Sequence, residues 1–574
     1  MRCLLFLFLV SLVQPFLAQS PPVDSALTVR VFYNGKIFTA ARKRPLVGAV
    51  AIRGDKIVAI GSKRRLLRRL GKQAEWVDLH GKCLLPGLID SHIHAVDGGQ
   101  TLLTADLADR LLPLPELAAF VAESRANGKA YYGDVLMVTG LNLAYWTDPG
   151  ALSALFDTGD YASIPLLLVG MDYHTGWLNR AMLAKAGIDA GFVRSLPNSE
   201  QPLYGHSAGG EPNGLIREAA FARVSPLVPP MPDAKKLEAG RAAIRYCNSL
   251  GLTAWLDPVT NDCLPVYRQL AQAGQLTAHV AAFLAVKADS TPATTLAYVQ
   301  SMQQQFGDIP DVTIAGIKIF ADGVVEYPSQ TAALSQPYRN SGQTGELLFA
   351  PKHFAALAVA ADRAGLMVHV HAIGDRAVSE TLNGFEQMRK SNGNSGLLHS
   401  ITHLQFVLPA DVPRFRQLGV IASFQLYWAM ADTGYTKLVE PYLDPQLYGY
   451  QYPANSMRRA GAVIAGASDW SVSTPNPFEA MAVGETRQGK DDIVLNKKER
   501  MPRKALLYAY TIEAAKAMRQ EERIGSLAVG KQADLVLVDR DVLRVSAAEL
   551  RQTRVLWTML GGRLVYAAEG EKGP

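Results

Sequence analysis

Two histidines stand one residue apart in the segment PGLIDSHIHAVDGG, directly after a short apolar run. Residues two apart in a β-strand point to the same face, so His92 and His94 are expected to project side by side. An imidazole is costly to bury without a partner, and paired imidazoles suit a borderline divalent metal ion. The pair therefore predicts either a solvent-facing strand end or the first half of a metal site.

Further candidate ligands and proton carriers stand in or after later apolar runs: Lys318, His371, His403 and Asp469. His369 precedes His371 by two residues in the segment HVH and shares its predicted strand face, so either histidine could be the ligand there. Four histidines and a carboxylate favour zinc, with iron or manganese as alternatives. A buried histidine can instead be a hydrogen-bonded core residue, and an aspartate after AGAS can instead cap a helix.

These residues lie on eight apolar, strand-like runs that alternate with helical stretches, the pattern of a parallel α/β architecture. The runs are LLPGLIDSHIH, LTAWLDP, TAHVAAFLAV, VTIAGIKIFADG, LMVHVHAIGD, SITHLQFV, GVIASFQL and GAVIAGASD. Eight is the number of strands in a TIM barrel, whose catalytic groups gather at the C-terminal ends of the strands. The sequence thus predicts a (β/α)8 TIM barrel over residues 85–523, with six candidate residues converging on one small volume.

Two more strand-like runs, DVLMVTGLNL and IPLLLVGMDYHT, fall within residues 95–250. We expect this stretch to be a large insertion after the first barrel strand, packed over the barrel mouth. Residues 21–84 and 524–574 consist of short alternating strands, and neither end is large enough to bury a core alone, so together they predict one small β-sandwich. Its hairpins are expected around Asn34-Gly35, Gly54-Asp55, His80-Gly81 and Gly561-Gly562.

Bulk composition limits the partners and the compartment. The chain has 574 residues, of which 48% are hydrophobic and 19% charged, and its net charge of +6 gives no case for a nucleic-acid partner. Residues 1–20 combine Arg2, an apolar stretch too short to span a bilayer comfortably, and small residues from Ala18, which predicts a secretory signal peptide. We therefore expect a periplasmic or secreted protein with no stable membrane span after signal removal, a small-molecule substrate, and a homodimer as a candidate assembly.

The order of the motifs resembles the amidohydrolase superfamily, specifically the family 3 branch that contains YtcJ-like proteins and N-substituted formamide deformylases. The resemblance rests on PGLIDSHIH, IKIFADG, VHAIGDRAV, ITHLQ, GASDWSVSTPNPF and GSLAVGKQADLVLVDRD, which cover nearly the whole mature chain. It implies that His92, His94, His371 and His403 are metal ligands. It also implies that Asp469 binds metal and moves protons.

Other positions follow or depart from the family pattern. Lys318 matches the lysine that many superfamily members carboxylate to bridge two metal ions, so the number of ions depends on it; a salt-bridged strand residue is the alternative. His174, in MDYHTGWLNRAML, matches a histidine over the active site, where it would stabilise an oxyanion or act only as a structural hydrogen bonder. Thr402 replaces the glutamate that usually precedes the strand-six histidine, and we expect altered packing behind the ligand. Gly214 and Glu218 are expected to be structural.

Together these residues predict metal-dependent hydrolysis of a non-peptide C–N bond, of amide or N-formyl type, in a small molecule through a metal-bound hydroxide. Asp469 would accept the proton of the water and return it to the departing nitrogen. The alternatives are a lactone or ester hydrolase on the same site, and a non-catalytic exported protein that binds a metal or ligand. Aromatic residues beside the motifs favour an apolar pocket: Tyr173, Trp177, Tyr427, Trp428 and Trp470.

Overall fold

The computed structural model describes residues 28–574 except 199, 288–289, 432–435, 437, 490, 492 and 572. The predicted signal peptide, residues 1–20, lies outside the described residues. Within the described part of the chain, no helix is both long enough and apolar enough to cross a membrane.

Eight parallel strands form the central sheet and pair in their order along the chain. They are β6 (Leu88–Asp90), β13 (Leu252–Asp257), β14 (His279–Ala285), β15 (Val312–Phe320), β16 (Met367–Ala372), β17 (His399–His403), β18 (Val420–Gln425) and β19 (Val463–Ala467). The amide of Ser91 donates to the carbonyl of Gly466 at 2.9 Å, which joins the first strand to the last. All eight predicted strands are present, and the predicted TIM barrel is confirmed.

Helices connect consecutive barrel strands, which explains why these strands read as continuous apolar runs that are buried on both faces. Before and between the barrel strands lie α8 (Asp233–Ser249), α9 (Leu264–Gln272), α10 (Pro292–Phe306), α11 (Pro351–Arg363), α12 (Asp375–Asn392), α13 (Val412–Leu418), α14 (Pro445–Tyr448) and α15 (Ala454–Arg459). After the last strand come α16 (Pro477–Thr486), α17 (Arg503–Ala509) and α18 (Ile512–Ala517). The other α-helices of the described residues are α1 (Lys63–Leu70), α2 (Ala95–Thr101), α3 (Leu114–Ala126), α4 (Pro149–Phe156), α5 (Arg180–Ala186), α6 (Ala190–Ser195), α7 (Phe221–Val224) and α19 (Ala547–Arg551).

A separate six-stranded sheet lies between β6 and β13 in the chain. Its strands are β7 (Tyr131–Tyr132), β8 (Val135–Leu141), β9 (Leu166–Gly170), β10 (Thr175–Leu178), β11 (Tyr204–His206) and β12 (Pro212–Arg217). The two extra predicted runs are β8 and β9, and they pair with each other rather than with the barrel. The core of this insertion includes Val325, Ile373 and Phe406 from loops of the barrel, so it packs on the C-terminal side of the barrel strands.

The prediction that Trp177 contributes to an apolar pocket is wrong. Its side chain is fully buried in the core of the insertion, and its indole nitrogen donates to the carbonyl of Asn213 at 3.0 Å. Trp177 follows a motif residue along the chain, but β10 turns it toward the packed face of the sheet. It therefore contributes to the stability of the insertion and not to the wall of a pocket.

The two ends of the chain share a third sheet. Its strands are β1 (Val29–Phe38), β2 (Leu46–Arg53), β3 (Lys56–Gly61), β4 (Glu75–Asp78), β5 (Cys83–Pro86), β20 (Leu535–Val538), β21 (Val555–Leu560) and β22 (Arg563–Ala567). Central β1 pairs with β2, β4 and β5, and β5 pairs with β20 from the other end of the chain. Phe32, Leu84 and Trp557 share one core, so the two ends bury together what neither could bury alone.

Two of the four predicted hairpins have different pairings. The Gly54-Asp55 and Gly561-Gly562 turns join antiparallel strands as predicted, but β1 runs through Asn34-Gly35 without turning back. Asn34 has a left-handed φ of 58°, and the register of β1 against β2 shifts after Tyr33. A Cβ on Gly35 would lie 2.7 Å from the carbonyl of Lys82, so the glycine allows close approach of β5. Likewise, β4 and β5 flank His80-Gly81 but pair with β1.

A buried histidine ties the base of the barrel to the sandwich. His279 begins β14, at the end of the barrel opposite to the strand C-termini; its Nδ1 lies 2.8 Å from Asp311 Oδ1 and its Nε2 lies 3.2 Å from Asp534 Oδ2. Burial lowers the pKa of His279, but the hydrogen bonds to the two carboxylates outweigh burial and raise the pKa to about 9. The imidazolium thus links a barrel loop to the residue that precedes β20.

We expect this link to make stability fall as the pH rises through about 9. Because the folded pKa of His279 lies above its unfolded value of 6.5, the stabilisation is complete below pH 6.5 and is lost above about 9. Denaturant unfolding between pH 6 and 10 should show the wild type losing up to about 3 kcal/mol relative to His279→Gln. His80→Gln, at a histidine with 82% of its side chain exposed, is the control. Parallel curves for wild type and His279→Gln would contradict the prediction.

Candidate active site

The predicted site residues converge at the C-terminal ends of the barrel strands. They are His92 and His94 after β6, Lys318 in β15, His371 in β16, His403 at the end of β17, and Asp469 after β19. All six line one cavity of about 1370 Å³. Residues of the insertion, including Thr139 and His174, form other parts of its wall. The substrate space therefore lies between the barrel mouth and the insertion.

Three of these side chains form the tightest group. One ligand atom from each of His92, His403 and Asp469 lies within 4.8 Å of the others, and all three residues are buried. Asp469 Oδ1 is 3.1 Å from His92 Nε2 and 3.2 Å from His94 Nε2. Two or three imidazoles and one carboxylate are a donor set that fits a borderline divalent ion such as zinc.

The carboxylate of Asp469 is negatively charged in this setting. Burial raises the pKa of Asp469, but the electrostatic attraction of His92 and the hydrogen bonds from His92 and His94 outweigh burial and hold the pKa well below its usual range. The same carboxylate has Oδ2 3.9 Å from His403 Nδ1. Asp469 can therefore contribute a ligand oxygen and accept a proton.

Backbone hydrogen bonds hold the first and last strand ends together at the site. The amide of Asp469 donates to the carbonyl of His92 at 2.8 Å, and the amide of His94 donates to the carbonyl of Trp470 at 2.9 Å. Asp469 and His403 have left-handed φ angles of 57° and 75°. Such conformations cost about 1–3 kcal/mol in non-glycine residues and persist where surrounding contacts fix them. The strained backbone turns both side chains toward the cavity.

His371 and Lys318 extend the site along the next two strands. The rings of His371 and His403 are 4.5 Å apart, and His371 Nε2 lies 3.1 Å from the carbonyl of Gly323, which leaves Nδ1 as its candidate ligand atom. Lys318 is 1% exposed, with Nζ 4.9 Å from the ring centroid of Phe320. Burial lowers the pKa of Lys318 to about 7, so a large fraction of the amine is neutral.

The structure places His369 and His371 at different depths. His371 lines the cavity. His369 is fully buried beneath it, with Nε2 2.6 Å from His92 Nδ1 and Nδ1 2.6 Å from Ser400 Oγ. The two histidines share a strand face, as predicted, but only His371 is near enough to the strand end to reach the cavity wall.

His174 enters the cavity from the turn between β9 and β10 and is held by Glu218. Its Nδ1 lies 2.9 Å from Glu218 Oε2, and the hydroxyl of Thr331 donates to Glu218 Oε1. Burial lowers the pKa of His174, but Glu218 outweighs burial and raises it to about 9. Sequence reasoning gave Glu218 only a structural role. The two residues are 44 positions apart, and no local spacing could indicate that they meet.

Gln425 is a further site residue that the sequence did not indicate. Its Nε2 donates to Thr402 Oγ1 at 3.2 Å, and its Oε1 lies 3.1 Å from His403 Nδ1. Thr402 is fully buried and lies behind the ligand, as its position one residue earlier on the strand predicts. Gln425 therefore links Thr402, the residue that departs from the family pattern, to the orientation of His403.

Aromatic side chains form part of the cavity wall. Trp428 stacks on His403, with ring centroids 5.4 Å apart and planes 6° apart, and the hydroxyl of Ser471 donates to the Tyr173 hydroxyl at 2.9 Å. Tyr427 and Trp470 also line the cavity. Four of the five aromatic residues named from the sequence thus reach it.

We expect Glu218→Gln to lower the pKa of His174 from about 9, because the variant removes the charge that favours the imidazolium. Neutral imidazole reacts with diethyl pyrocarbonate, so residue-resolved labelling by mass spectrometry across pH 5–10 reports the midpoint. Glu123→Gln, at another carboxylate on the cavity wall, is the control. An unchanged His174 midpoint in Glu218→Gln would contradict the assigned hydrogen bond.

Comparison with known proteins agrees with this geometry. An amidohydrolase family model matches residues 75–566. Putative amidohydrolase YtcJ from Bacillus subtilis is 25% identical over 93% of this chain and 99% of its own. N-substituted formamide deformylase from Arthrobacter pascens is 24% identical over 94% of this chain and 98% of its own.

Among solved structures, an uncharacterized metal-dependent hydrolase from Pyrococcus horikoshii OT3 matches with a TM-score of 0.69 and 22% identity. The match covers 91% of this chain and 99% of that one, and it supports the fold. The family model covers well over half of the chain and includes every predicted barrel strand. The chain therefore belongs to the amidohydrolase family, as the order of its motifs predicts.

Proposed function

We propose that this protein hydrolyses a non-peptide C–N bond, of amide or N-formyl type, in a small molecule. The observation that carries the proposal is the convergence of His92, His403 and Asp469 on the wall of one cavity. The name of the Arthrobacter relative, a deformylase of N-substituted formamides, supports a C–N bond as the target. A cavity of about 1370 Å³ with aromatic walls leaves room for a substrate much larger than its formyl or acyl group.

We propose zinc as the bound metal, with His92, His94, His371, His403 and Asp469 as its ligands. When bound, a divalent ion polarises the substrate carbonyl and lowers the pKa of a coordinated water toward neutrality. Asp469 is the proton carrier of the proposal. Its charged carboxylate accepts the proton of the attacking water and then delivers it to the departing nitrogen, which makes that nitrogen a better leaving group.

His174 supplies the proposed electrostatic stabilisation of the substrate. Because Nδ1 is committed to Glu218, the Nε2–H is the donor that remains for the substrate oxygen. A charged imidazolium that is already oriented stabilises a developing oxyanion without reorganisation during the reaction. The proposal therefore assigns Asp469 to proton transfer and His174 to charge stabilisation.

Lys318 decides how many ions the site holds in this proposal. A buried amine whose pKa is about 7 is neutral often enough to react with carbon dioxide, and the resulting carbamate is anionic. A carbamate on Lys318 would contribute oxygen ligands between two ions, whereas an ammonium group would repel them. We propose the carboxylated form and two ions.

Elemental analysis by plasma mass spectrometry should find about two metal ions per chain in the wild type, falling to one or none in Lys318→Ala. The variant would lose the proposed carbamate on Lys318, and with it a ligand that two ions would share. Lys352→Ala, on the exposed side of α11, is the control and should keep two ions. One ion in both wild type and Lys318→Ala would contradict the bridge, and none in the metal-loaded wild type would contradict the hydrolase proposal.

Asp469→Asn should keep most of the metal but lower kcat by at least about 100-fold, the usual scale for a positioned acid or base. Turnover is to be measured on a panel of N-formyl and N-acyl amides, with matched esters and lactones. His92→Ala is the comparison variant and should lose metal and turnover together, because a ligand is gone. Near wild-type turnover in Asp469→Asn would contradict the proton-transfer role. Cleavage of esters alone would move the proposal from C–N to C–O bonds.

A further inference from the structure

A short chain of hydrogen bonds runs from the first proposed ligand into the interior of the barrel. His92 Nδ1 is 2.6 Å from His369 Nε2, and His369 Nδ1 is 2.6 Å from Ser400 Oγ. All three side chains are buried. His92 follows β6, whereas His369 and Ser400 lie on β16 and β17, which are neighbours in the barrel. The other nitrogen of His92, Nε2, faces Asp469 and the cavity.

The direction of these hydrogen bonds is fixed once Nε2 of His92 binds a cation. A metal ion takes the lone pair of Nε2, so the single proton of the neutral ring must be on Nδ1. That proton is donated to His369 Nε2, which must then be an acceptor. The proton of His369 is therefore on Nδ1 and is donated to Ser400 Oγ. One tautomer of each imidazole satisfies the whole chain.

The partner of His92 differs from those of the neighbouring ligands. His371 Nε2 faces the backbone carbonyl of Gly323, and His403 Nδ1 faces the amide oxygen of Gln425. Those oxygens are acceptors in every state, whereas an imidazole nitrogen accepts only in one tautomer. Of these three candidate ligands, His92 is thus the one whose partner is itself an imidazole, so its metal-binding tautomer depends on the tautomer of a second ring.

We propose that His369, oriented by Ser400, is a positioning residue that holds His92 in the tautomer and ring orientation needed to bind metal. The inference rests on the proposed metal site, and it replaces the ligand role that the segment HVH had left open for His369. Residues that orient a ligand in this way typically change metal affinity by about 10–100-fold when they are replaced. A side chain that only fills space in the core would change stability and leave metal affinity alone.

The test compares zinc affinities of the full-length chain by competition with a chromophoric chelator, alongside the thermal unfolding midpoint of the metal-free protein. His369→Leu removes the acceptor without burying a new polar group, and we expect zinc binding to weaken by about 10–100-fold. His369→Gln supplies an amide oxygen that accepts from His92, and we expect it to keep most of the wild-type affinity. Neither measurement requires a substrate.

The matched control is His399→Leu. His399 is a fully buried histidine beside Ser400 on β17, but its Nε2 is 3.0 Å from Asp362 Oδ1, and it is not part of the cavity wall. Its loss should lower the unfolding midpoint and leave zinc affinity unchanged. If His369→Leu does not fold, Ser400→Ala tests the same chain of hydrogen bonds and should weaken zinc binding in the same direction.

The possible outcomes distinguish the positioning role of His369 from core packing and from the absence of a metal site. Weakened zinc binding in His369→Leu, rescue in His369→Gln and unchanged affinity in His399→Leu support the positioning role. Wild-type affinity in His369→Leu overturns it while leaving the proposed hydrolase intact, and equal losses in His369→Leu and His399→Leu overturn it in favour of core packing. A wild-type chain that binds no zinc overturns the proposed metal site and this inference together.

Discussion

The carboxylate of Asp469 is buried beside the imidazoles of His92 and His94, and this contact requires the first and last barrel strands to be neighbours. Taking a carboxylate out of water costs several kcal/mol unless partners replace its hydration. Those partners come from a segment more than 370 positions earlier in the chain, and backbone hydrogen bonds from Asp469 to His92 and from His94 to Trp470 hold the two segments together. Barrel closure and assembly of the site are therefore one event.

The insertion is bound to this arrangement by polar contacts as well as by its core. His174 and Glu218 come from the insertion, whereas Thr331, whose hydroxyl donates to Glu218, comes from the loop after β15. Thr331 also accepts a hydrogen bond from the amide of Val324, whose side chain belongs to the core of the insertion. The position of His174 in the cavity, with its ring centroid 6.4 Å from that of His371, thus depends on how the insertion sits on the barrel. A shift between them would misalign the proposed oxyanion donor.

The barrel can be predicted from the sequence because its strands are buried on both faces, and such strands in parallel sheets are continuous apolar runs. Candidate residues at the ends of those runs could be named for the same reason, since strand C-termini meet at one face of the barrel. Contacts between residues far apart in the sequence cannot be predicted in this way. Glu218 contacts His174, and Gln425 contacts His403, only because the fold brings them together. The hairpin predicted at Asn34-Gly35 is wrong because a residue with a left-handed φ can lie at an irregularity within a continuous strand as well as in a hairpin turn.

Thr402 departs from the family pattern, and Gln425 on the neighbouring strand compensates for the change. At the position where the family resemblance leads us to expect a glutamate, this chain has a hydroxyl that accepts from Gln425 Nε2, and this bond directs the amide oxygen of Gln425 toward His403 Nδ1. An amide oxygen accepts a hydrogen bond from the imidazole N–H without bringing a negative charge. His403 therefore keeps an oriented ring, with Nδ1 engaged and Nε2 left as its candidate ligand atom. The bridge from Thr402 through Gln425 therefore orients His403 without adding a carboxylate next to its ring.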